Sequence, residues 1–412
     1  MAEIRPFKAL RPAAGLEDKI AALPYDVYNR AEAADVVKDD KYTFLRIDRP
    51  ETQFELTHDM YADEVYEKAS QMLAEMEKEG SFVQDEKAQL YIYELTMDGR
   101  AQTGLVAASS VDDYINGVIK KHENTRKEKE ADRIRHVDVC SAQTGPIFLA
   151  YNSNPAVKEI INSVKKEEPY ADFVSDDGIR HRCWAISDDD KINSLVALFA
   201  EMSNTYIADG HHRAASAVAV SRKRREEHKD YSGNEEFNYF LSVLFDADEL
   251  KIMDYNRVIK DLNGNTADEF ITKLSQKYDI KDSDGAYHPA EKGEAGLYIN
   301  KKWYKLTAKE QFVRNDPVGC LDVAYLQREV LAPILGITDP ATDNRIDFVG
   351  GIRGLKELER RCEEDAIAAF AMYPTDIHEL FAVADANELM PPKSTWFEPK
   401  LRSGLFIHKI EK

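Results

Sequence analysis

The amino-acid sequence predicts an α/β (α+β) protein in which mixed sheets are flanked by helices. Strand-like apolar runs are interspersed with segments whose apolar residues recur every three or four positions, the spacing of an amphipathic helix. Near the middle of the chain, the strand-like run 205–208 enters a polar turn and then an alanine-rich helical segment. Asp98-Gly99, between the strand-like runs 90–96 and 102–108, is typical of a hairpin.

The predicted strands are short apolar runs bounded by turn residues. In chain order they are 4–10 (interrupted by Pro6), 42–47, 90–96, 102–108, 147–151, 180–186, 205–208, 237–246, 255–258, 297–300, 303–306 and 366–373. The predicted helices have helical apolar spacing or dense charge, and they are 29–38, 58–80, 127–137, 156–164, 189–202, 267–277, 322–335 and 377–386. The clearest is 58–80, whose apolar stripe we interpret as core packing and which Gly80 is suited to end.

A domain boundary is expected near Asn263-Gly264-Asn265, because these residue types favour turns. It divides the chain into an N-terminal part, 1–262, and a C-terminal α+β part, 263–412. We expect the N-terminal part to carry the functional core and the C-terminal part to cover its cleft.

Composition and charge limit the classes of partner. The 412 residues are 43% hydrophobic and 32% charged, which is ordinary for a globular protein with a sizeable core. The formal net charge of -20 disfavours nucleic acids and anionic membranes as partners, because like charges repel. A small nucleotide needs only a local pocket and is compatible with this charge.

The cysteines and the N-terminus point to the cytoplasm. The four cysteines (Cys140, Cys183, Cys320 and Cys362) form no CxxC pair, which disfavours both a zinc knuckle and a disulfide-rich secreted scaffold. The first residues lack the apolar stretch of a signal peptide, and no apolar run approaches membrane-spanning length. We therefore expect a cytoplasmic protein that does not insert into a membrane.

The polar turn Asp209–Arg213 is the first candidate site. It joins a strand-like run to a helical segment, where backbone N–H groups and the helix dipole favour an anion. The Arg213 guanidinium suits phosphate oxygens, and Gly210 allows a ligand to approach closely. Asp209 can bind magnesium, orient a hydroxyl or simply cap the helix. We favour a phosphate site over a capped helix because several polar residues coincide at one strand end.

A second polar cluster, 120–126, follows a short apolar lead and precedes a highly charged segment. Its pair His122-Glu123 is weak evidence by itself, because a solvated helix explains the segment equally well. If the two clusters share one site, Glu123 can take the proton of a substrate hydroxyl. The lysines and the arginine of the cluster can then neutralise phosphate charge.

Two proline-containing loops offer further polar side chains. Pro24 precedes Tyr25 and Asp26, and Pro391-Pro392 precede Lys393 and Ser394. Prolines fix the backbone, and rigid loops that carry lysine and hydroxyl groups often bind anions. For both loops, a packed turn without chemistry is the alternative.

The turn Asp209–Arg213 reads Asp-Gly-His-His-Arg and resembles the phosphate-binding box of the ParB/sulfiredoxin superfamily, in particular that of the archaeal free serine kinases. Lys121-His122-Glu123 resembles the upstream box of those kinases, in which the His-Glu pair supplies the catalytic glutamate. The order of the two boxes agrees. The interval between them is much longer here, so an insertion is expected.

A second resemblance spans nearly the whole chain. Leu23–Val27, His122–Thr125, Asp209–Arg213 and Met390–Thr395 recur in this order in a widespread prokaryotic family, domain-of-unknown-function family 1015, and the chain is identified as a member of it. Membership supplies no reaction. It favours the interpretation that Tyr25 and Asp26 face the site.

The resemblances imply a ParB/sulfiredoxin-like core and a nucleotide-dependent phosphotransferase acting on the hydroxyl of a small metabolite, with free L-serine as the best guess. The expected cofactors are ATP or ADP and Mg²⁺. The assignments are Glu123 and Asp209 as catalytic, Asp209 also as Mg²⁺ ligand, His122, Gly210, His211, His212 and Arg213 as nucleotide- or phosphate-binding, and Tyr25, Asp26, Thr125, Arg126, Lys393 and Ser394 as substrate or rim residues.

Two other functions remain open. A nucleotide-binding switch protein without turnover would use the same turn, as ParB-like folds can. A hydrolase would use the same anion site on a phosphorylated small molecule. The sequence contains no P-loop, Rossmann fingerprint or HExxH motif that would favour another class.

Overall fold

The structure is a computed structural model that describes residues 1–125 and 127–411. The strands are β1 (Ile4–Arg5), β2 (Ala9–Pro12), β3 (Phe82–Gln84), β4 (Leu90–Met97), β5 (Arg100–Ser110), β6 (Ile119–Lys120), β7 (Ala142–Gln143), β8 (Ile147–Tyr151), β9 (Ala171–Val174), β10 (Arg180–Ile186), β11 (Thr205–Asp209), β12 (Tyr239–Asp246), β13 (Ile252–Met253), β14 (Tyr255–Ile259), β15 (Tyr278–Ser283), β16 (Glu294–Ile299), β17 (Lys302–Ala308), β18 (Ile346–Gly350), β19 (Ala368–Met372), β20 (Trp396–Phe397) and β21 (Ile407–Lys409).

The helices are α1 (Glu17–Ile20), α2 (Arg30–Val37), α3 (Leu45–Asp48), α4 (Asp63–Lys78), α5 (Val111–Ile115), α6 (Lys127–Cys140), α7 (Pro155–Val164), α8 (Asp189–Ala200), α9 (His211–Glu227), α10 (Ala267–Leu274), α11 (Asp322–Leu326), α12 (Leu355–Glu364) and α13 (Ile377–Asp385). Their ends follow local chemistry: at α2, for example, Asn29 and Glu32 form a reciprocal capping box. No helix in the described ranges is both long enough and apolar enough to cross a bilayer.

The chain forms two compact units. The first comprises Met1–Leu250 together with the chain from Pro399 onward, and the second comprises Lys251–Glu398. The boundary between the units, after Leu250, therefore precedes the Asn263–Asn265 turn. The C-terminal segment, from Pro399 onward, belongs to the first unit again.

The first unit is built on a large sheet with the strand order β6-β11-β8-β12-β5-β4-β10-β9, in which β1 also pairs with β5. The pairs β6–β11 and β8–β12 are parallel, whereas the other pairs are antiparallel. Strand β12 lies inside the sheet and is buried along its whole length, as its apolar sequence predicts. The mixed sheets and flanking helices predicted from the sequence are thus confirmed.

Helices cover this sheet and form the main core. Apolar residues of α7, α8 and α9, such as Val157, Leu195 and Ala214, are buried with sheet residues such as Leu149 and Ile207 in one cluster. Helix α6 contacts both α9 and α4. The helices that follow the two polar clusters, α6 and α9, therefore pack directly against each other.

A smaller sheet, β3-β2-β21-β7, ties the C-terminal segment to the N-terminal residues. Strand β21 pairs with β2 through His408 and Ala9, and with β7 through His408 and Gln143. This pairing holds residues 399–411 in the first unit.

The second unit has its own sheet, β15-β17-β16-β19-β14-β18, and a separate pair, β13–β20. Helix α12 buries Leu358 against sheet residues including Val258 and Ala369. The hairpin predicted around Lys301-Lys302 is present as β16 and β17.

Two predicted elements are corrected. The run 42–47, predicted as a strand, turns into helix α3, because Asp40 accepts hydrogen bonds from the N–H groups of Tyr42 (2.9 Å) and Thr43 (3.1 Å) and turns the chain. Its apolar residues are buried by tertiary packing, and periodicity cannot distinguish helix from strand in so short a run. The predicted helix 322–335 is α-helical only over α11 and continues as a π-helical turn, Gln327–Leu331.

His181 on β10 is a buried titratable group of the first unit. Its Nδ1 lies 2.8 Å from the Tyr93 hydroxyl and its Nε2 lies 2.9 Å from the Ser175 hydroxyl, so both ring nitrogens are hydrogen-bonded. Burial, reinforced by the charge of Arg402, lowers the pKa of His181 from 6.5 to about 3. The folded protein therefore holds this imidazole neutral.

We expect His181 to make the protein less stable in acid. Its pKa is lower in the folded than in the unfolded chain, so its contribution is fully present above about pH 6.5 and is lost as pH falls toward 3. The slope should approach about 1.4 kcal/mol per pH unit. Urea unfolding of wild type and His181→Gln at several pH values should show a shallower dependence in the variant. Equal slopes would contradict the assignment, and the same substitution at exposed His228 serves as the control.

Candidate active site

The polar turn lies where β11 passes into α9. Asp209 ends the strand, Gly210 occupies the N-cap with φ +94°, and His211 begins the helix. A Cβ at Gly210 would lie 2.9 Å from Nε and 3.0 Å from Nη2 of Arg213. The left-handed backbone therefore favours glycine here, and any side chain would also displace the Arg213 guanidinium.

Arg213 and Lys400 hold the Asp209 carboxylate. Arg213 Nη2 lies 3.4 Å from Oδ2 of Asp209, and Lys400 Nζ lies 3.8 Å from the same oxygen. Burial favours the neutral acid, but Lys400, Arg213 and His211, with the Gly210 N–H, hold the pKa of Asp209 well below its usual range. Two permanent cations thus lie beside this carboxylate at the N-terminus of α9.

The second polar cluster reaches the same place through strand pairing. In the parallel pair β6–β11, Ile119 lies opposite Thr205 and Lys120 opposite Tyr206, so the residues after β6 come beside the end of β11. The rings of His122 and His211 meet edge to face, with their centroids 4.5 Å apart. Potential ligand atoms of His122, Glu123 and His211 lie within 4.8 Å of one another.

Both histidines of this contact are neutral at neutral pH. His122 is 2% exposed and His211 is 7% exposed. Burial and the neighbouring His211 lower the pKa of His122 well below its usual value. Burial also lowers the pKa of His211 to about 4, although Asp209 opposes this shift. The two imidazoles can therefore act as hydrogen-bonding groups or metal ligands, but they do not supply positive charge.

The predicted magnesium position at Asp209 does not suit a resident Mg²⁺ ion. The carboxylate is already ion-paired with Arg213 and Lys400, and both cations would repel a metal ion bound there. His122, Glu123 and His211 offer two imidazoles and one carboxylate at a neighbouring position, a set that suits transition metals better than magnesium.

A small cavity with a mainly apolar lining adjoins Arg213. It has a volume of about 30 Å³, and Tyr25, Arg133, Thr144 and Ser403 contribute to its lining. The Arg133 guanidinium lies 4.2 Å from the centre of the Tyr25 ring, and burial raises the pKa of Tyr25. The cavity has room for about two water molecules, so a nucleotide would extend across the open side of the turn.

Several other predicted residues have local roles. Asp26 is exposed beside Tyr25, and its charge contributes to the raised Tyr25 pKa. Thr125 donates a hydrogen bond to Glu130 Oε2 (2.6 Å) in the first turn of α6. Arg126 lies outside the described residues. His212 is in the first turn of α9, and its carbonyl accepts a hydrogen bond from the Ser216 hydroxyl (2.6 Å).

Lys393 and Ser394 belong to the second unit. The Lys393 carbonyl accepts a hydrogen bond from Arg257 Nη2 (3.1 Å). Ser394 is buried and donates a hydrogen bond to the Pro391 carbonyl (2.5 Å). These contacts fix the conformation of the loop, and its contribution to a substrate site stays a prediction.

Sequence reasoning missed Lys400 and Ser403. Both lie in the segment that returns to the first unit ahead of β21, and they meet Asp209 and the cavity only through the tertiary fold. No local pattern around them signals such contacts. Only knowledge of the β2–β21 and β7–β21 pairing would have indicated that this segment approaches the turn.

The chain belongs to the family described as Protein of unknown function (DUF1015), whose model matches residues 4–324. No curated protein matches the chain. The family description names no reaction, so function must be argued from the site itself.

Three solved structures are similar over about three quarters of the chain. A mutant free serine kinase in complex with ADP is 13% identical in sequence, with a TM-score of 0.37. The matched region covers 76% of this chain and 93% of the kinase chain. A conserved hypothetical protein from Pyrococcus furiosus has 15% identity, coverages of 74% and 94%, and a TM-score of 0.35. C-terminally truncated SbnI from Staphylococcus aureus has 10% identity, coverages of 72% and 85%, and a TM-score of 0.37. At these values the likeness indicates nothing about activity.

We expect Gly210→Ala to impair anion binding at the turn. The added Cβ would displace the Arg213 guanidinium, so the affinity for inorganic phosphate should fall about tenfold, the effect of losing a charge-assisted contact. The left-handed backbone should also cost about 1–2 kcal/mol of stability. Gly178→Ala is the matched control, because Gly178 has φ +80° but open space around its Cβ position. Similar stability losses with unequal phosphate affinities would support the prediction, and equal affinities would contradict it.

Proposed function

We propose that this member of the DUF1015 family binds a nucleotide at the Asp209–Arg213 turn and transfers a phosphoryl group to the hydroxyl of a small metabolite. The observation that carries the proposal is the convergence of Glu123 with this turn through the β6–β11 pairing. The resemblance of the two motifs to those of free serine kinases makes free L-serine the first acceptor to test. ATP and ADP are the corresponding donors.

The positive side of the site is suited to phosphate. Helix α9 is 17 residues long, and the N–H groups of its first turn, which have no partner within the helix, follow Gly210. Arg213 supplies a planar pair of donors, and Lys400 supplies a second cation. Asp209 lies beside both cations. These fixed charges can stabilise the charge that develops on phosphate oxygens during transfer.

Glu123 supports the acceptor side of the reaction. It lies next to two neutral imidazoles and is partly exposed, so a bound hydroxyl can reach its carboxylate. In the proposed step, the hydroxyl proton passes to Glu123 while the hydroxyl oxygen bonds to the terminal phosphorus. The bond from phosphorus to the bridging oxygen breaks, and the negative charge on the leaving phosphate is stabilised by Arg213 and Lys400.

We expect Arg213→Ala to weaken nucleotide binding at least tenfold without unfolding the protein. A hydrogen bond to a charged group contributes about 1.5–3 kcal/mol. Calorimetric titration with ATP and ADP measures the change. Arg222→Ala, an exposed position on the same helix, is the control and should bind like wild type. An unchanged affinity in Arg213→Ala would remove this residue from the nucleotide site.

We expect Glu123→Gln to retain nucleotide affinity while turnover falls by about 10²–10⁴-fold, because glutamine keeps the shape of the side chain but cannot take up the proton. Nucleotide consumption would be followed with L-serine and with a panel of other hydroxylated metabolites. Glu128→Gln, an exposed carboxylate in α6, is the control. An unchanged rate in Glu123→Gln would exclude this residue as the base. Nucleotide binding without turnover of any acceptor by wild type would replace the kinase proposal with a nucleotide-binding switch.

A further inference from the structure

Two buried imidazole nitrogens at the site have no hydrogen-bond partner among the described residues. They are Nδ1 of His122 and Nε2 of His211. Both residues are more than nine-tenths buried, at 2% and 7% exposure. An unsatisfied buried polar atom is unfavourable, and these two belong to rings in edge-to-face contact, so one ligand can satisfy both.

The hydrogen bonding of His122 fixes which of its nitrogens is available. The ring forms a hydrogen bond with the backbone of Ile207 that favours the charged imidazole, as an N–H donating to a carbonyl does. Because Nδ1 has no partner, this donor is Nε2. Nδ1 is then the unprotonated nitrogen of a neutral ring. Metal-binding histidines are typically oriented in this way, with the second nitrogen donating to a backbone carbonyl or a carboxylate.

Glu123 adds a carboxylate to the pair. Ligand atoms of His122, Glu123 and His211 lie within 4.8 Å of one another. In a tetrahedral zinc site, two ligand atoms that are each about 2.1 Å from the ion lie about 3.4 Å apart. Small side-chain rotations would bring the three ligand atoms of this cluster to that spacing. Glu123 is partly exposed and both histidines are buried, which leaves the remaining coordination positions on the open side.

We propose that His122, Glu123 and His211 bind one divalent transition-metal ion, of the class to which Zn²⁺ and Co²⁺ belong, with open coordination positions. Two imidazoles select such ions over magnesium and calcium, which prefer oxygen ligands. The bound ion would add positive charge beside the Arg213 turn. Because it would occupy the Glu123 carboxylate, phosphoryl transfer with Glu123 as the base would require the metal-free site. This site does not depend on the proposed phosphotransferase activity, because the metal can bind without nucleotide.

The test is Co²⁺ titration of the full-length protein after removal of metal with a chelator and in the absence of nucleotide. We expect visible d–d absorption that saturates at one equivalent per chain and is abolished by Zn²⁺. Cysteine ligation would instead give intense thiolate-to-cobalt charge-transfer bands, and a spectrum dominated by them would overturn the assignment. Calorimetry with Zn²⁺ gives the affinity independently.

Variants locate the ion. His122→Gln and His211→Gln should each weaken Zn²⁺ binding at least tenfold, and Glu123→Gln should weaken it while leaving the buried core intact. His228→Gln, at an exposed histidine, should bind like wild type. If a histidine variant does not fold, Glu123→Gln still decides, because loss of affinity supports the site and unchanged affinity contradicts it. Wild-type protein that binds no stoichiometric Co²⁺ or Zn²⁺ would also overturn the proposal.

The metal site and the phosphotransferase can fail separately. Turnover would be assayed in Mg²⁺ with phenanthroline, which removes transition metals but not magnesium. Stoichiometric Co²⁺ binding without turnover would support the metal site and contradict the kinase. Turnover under phenanthroline in a protein that binds no Co²⁺ would support the kinase and contradict the metal site.

Discussion

The parallel pairing of β6 with β11 is the constraint on which the candidate site depends. Only two residues of β6 take part, yet their register decides that His122 and Glu123 emerge beside the strand end that carries Asp209. A displaced register would turn these side chains to the other face of the sheet. The packing of α6 against α9 supports the pairing, because each helix follows one of the two polar segments. Strand pairing and helix packing together therefore hold the two segments in one arrangement.

The charges around the Asp209–Arg213 turn differ from the acidic average of the chain. The chain carries a net charge of -20, but this total does not describe the charges immediately around the turn. Arg213 and Lys400 both lie close to Asp209 Oδ2, at 3.4 Å and 3.8 Å. Within about 8 Å at physiological ionic strength, such fixed charges dominate over the distant excess of acids. The net charge disfavours extended anions such as nucleic acids, whereas the local charge suits a phosphate group.

Much of the fold was predictable because it depends on local patterns. The hairpin of β4 and β5, the amphipathic helix α4 and the strand β10 all follow from turn residues and apolar periodicity. The segment 42–47 was predicted wrongly because a short apolar run is buried by its surroundings in either conformation. The two sequence motifs identified the turn at Gly210 and the His122-Glu123 pair as candidate site residues. They could not indicate Lys400, because that lysine reaches Asp209 through the return of the C-terminal segment to the first unit, which no local sequence signal encodes.

Two unfavourable features of the first unit lie at the candidate site. Gly210 adopts a backbone conformation that other residues avoid, and a side chain there would displace the Arg213 guanidinium. Two buried imidazole nitrogens next to it lack partners among the described residues. Each feature lowers the stability of the folded state. A capping residue at the turn or apolar side chains in place of the imidazoles would have been more favourable. A folded protein can tolerate such a cost when a ligand binds the same groups, because binding to the folded state offsets it. Binding of the proposed metal ion would offset the cost of the two imidazoles, whereas other unsatisfied buried atoms of the unit, such as Nε2 of Gln102 and Nε of Arg182, belong to β5 and β10.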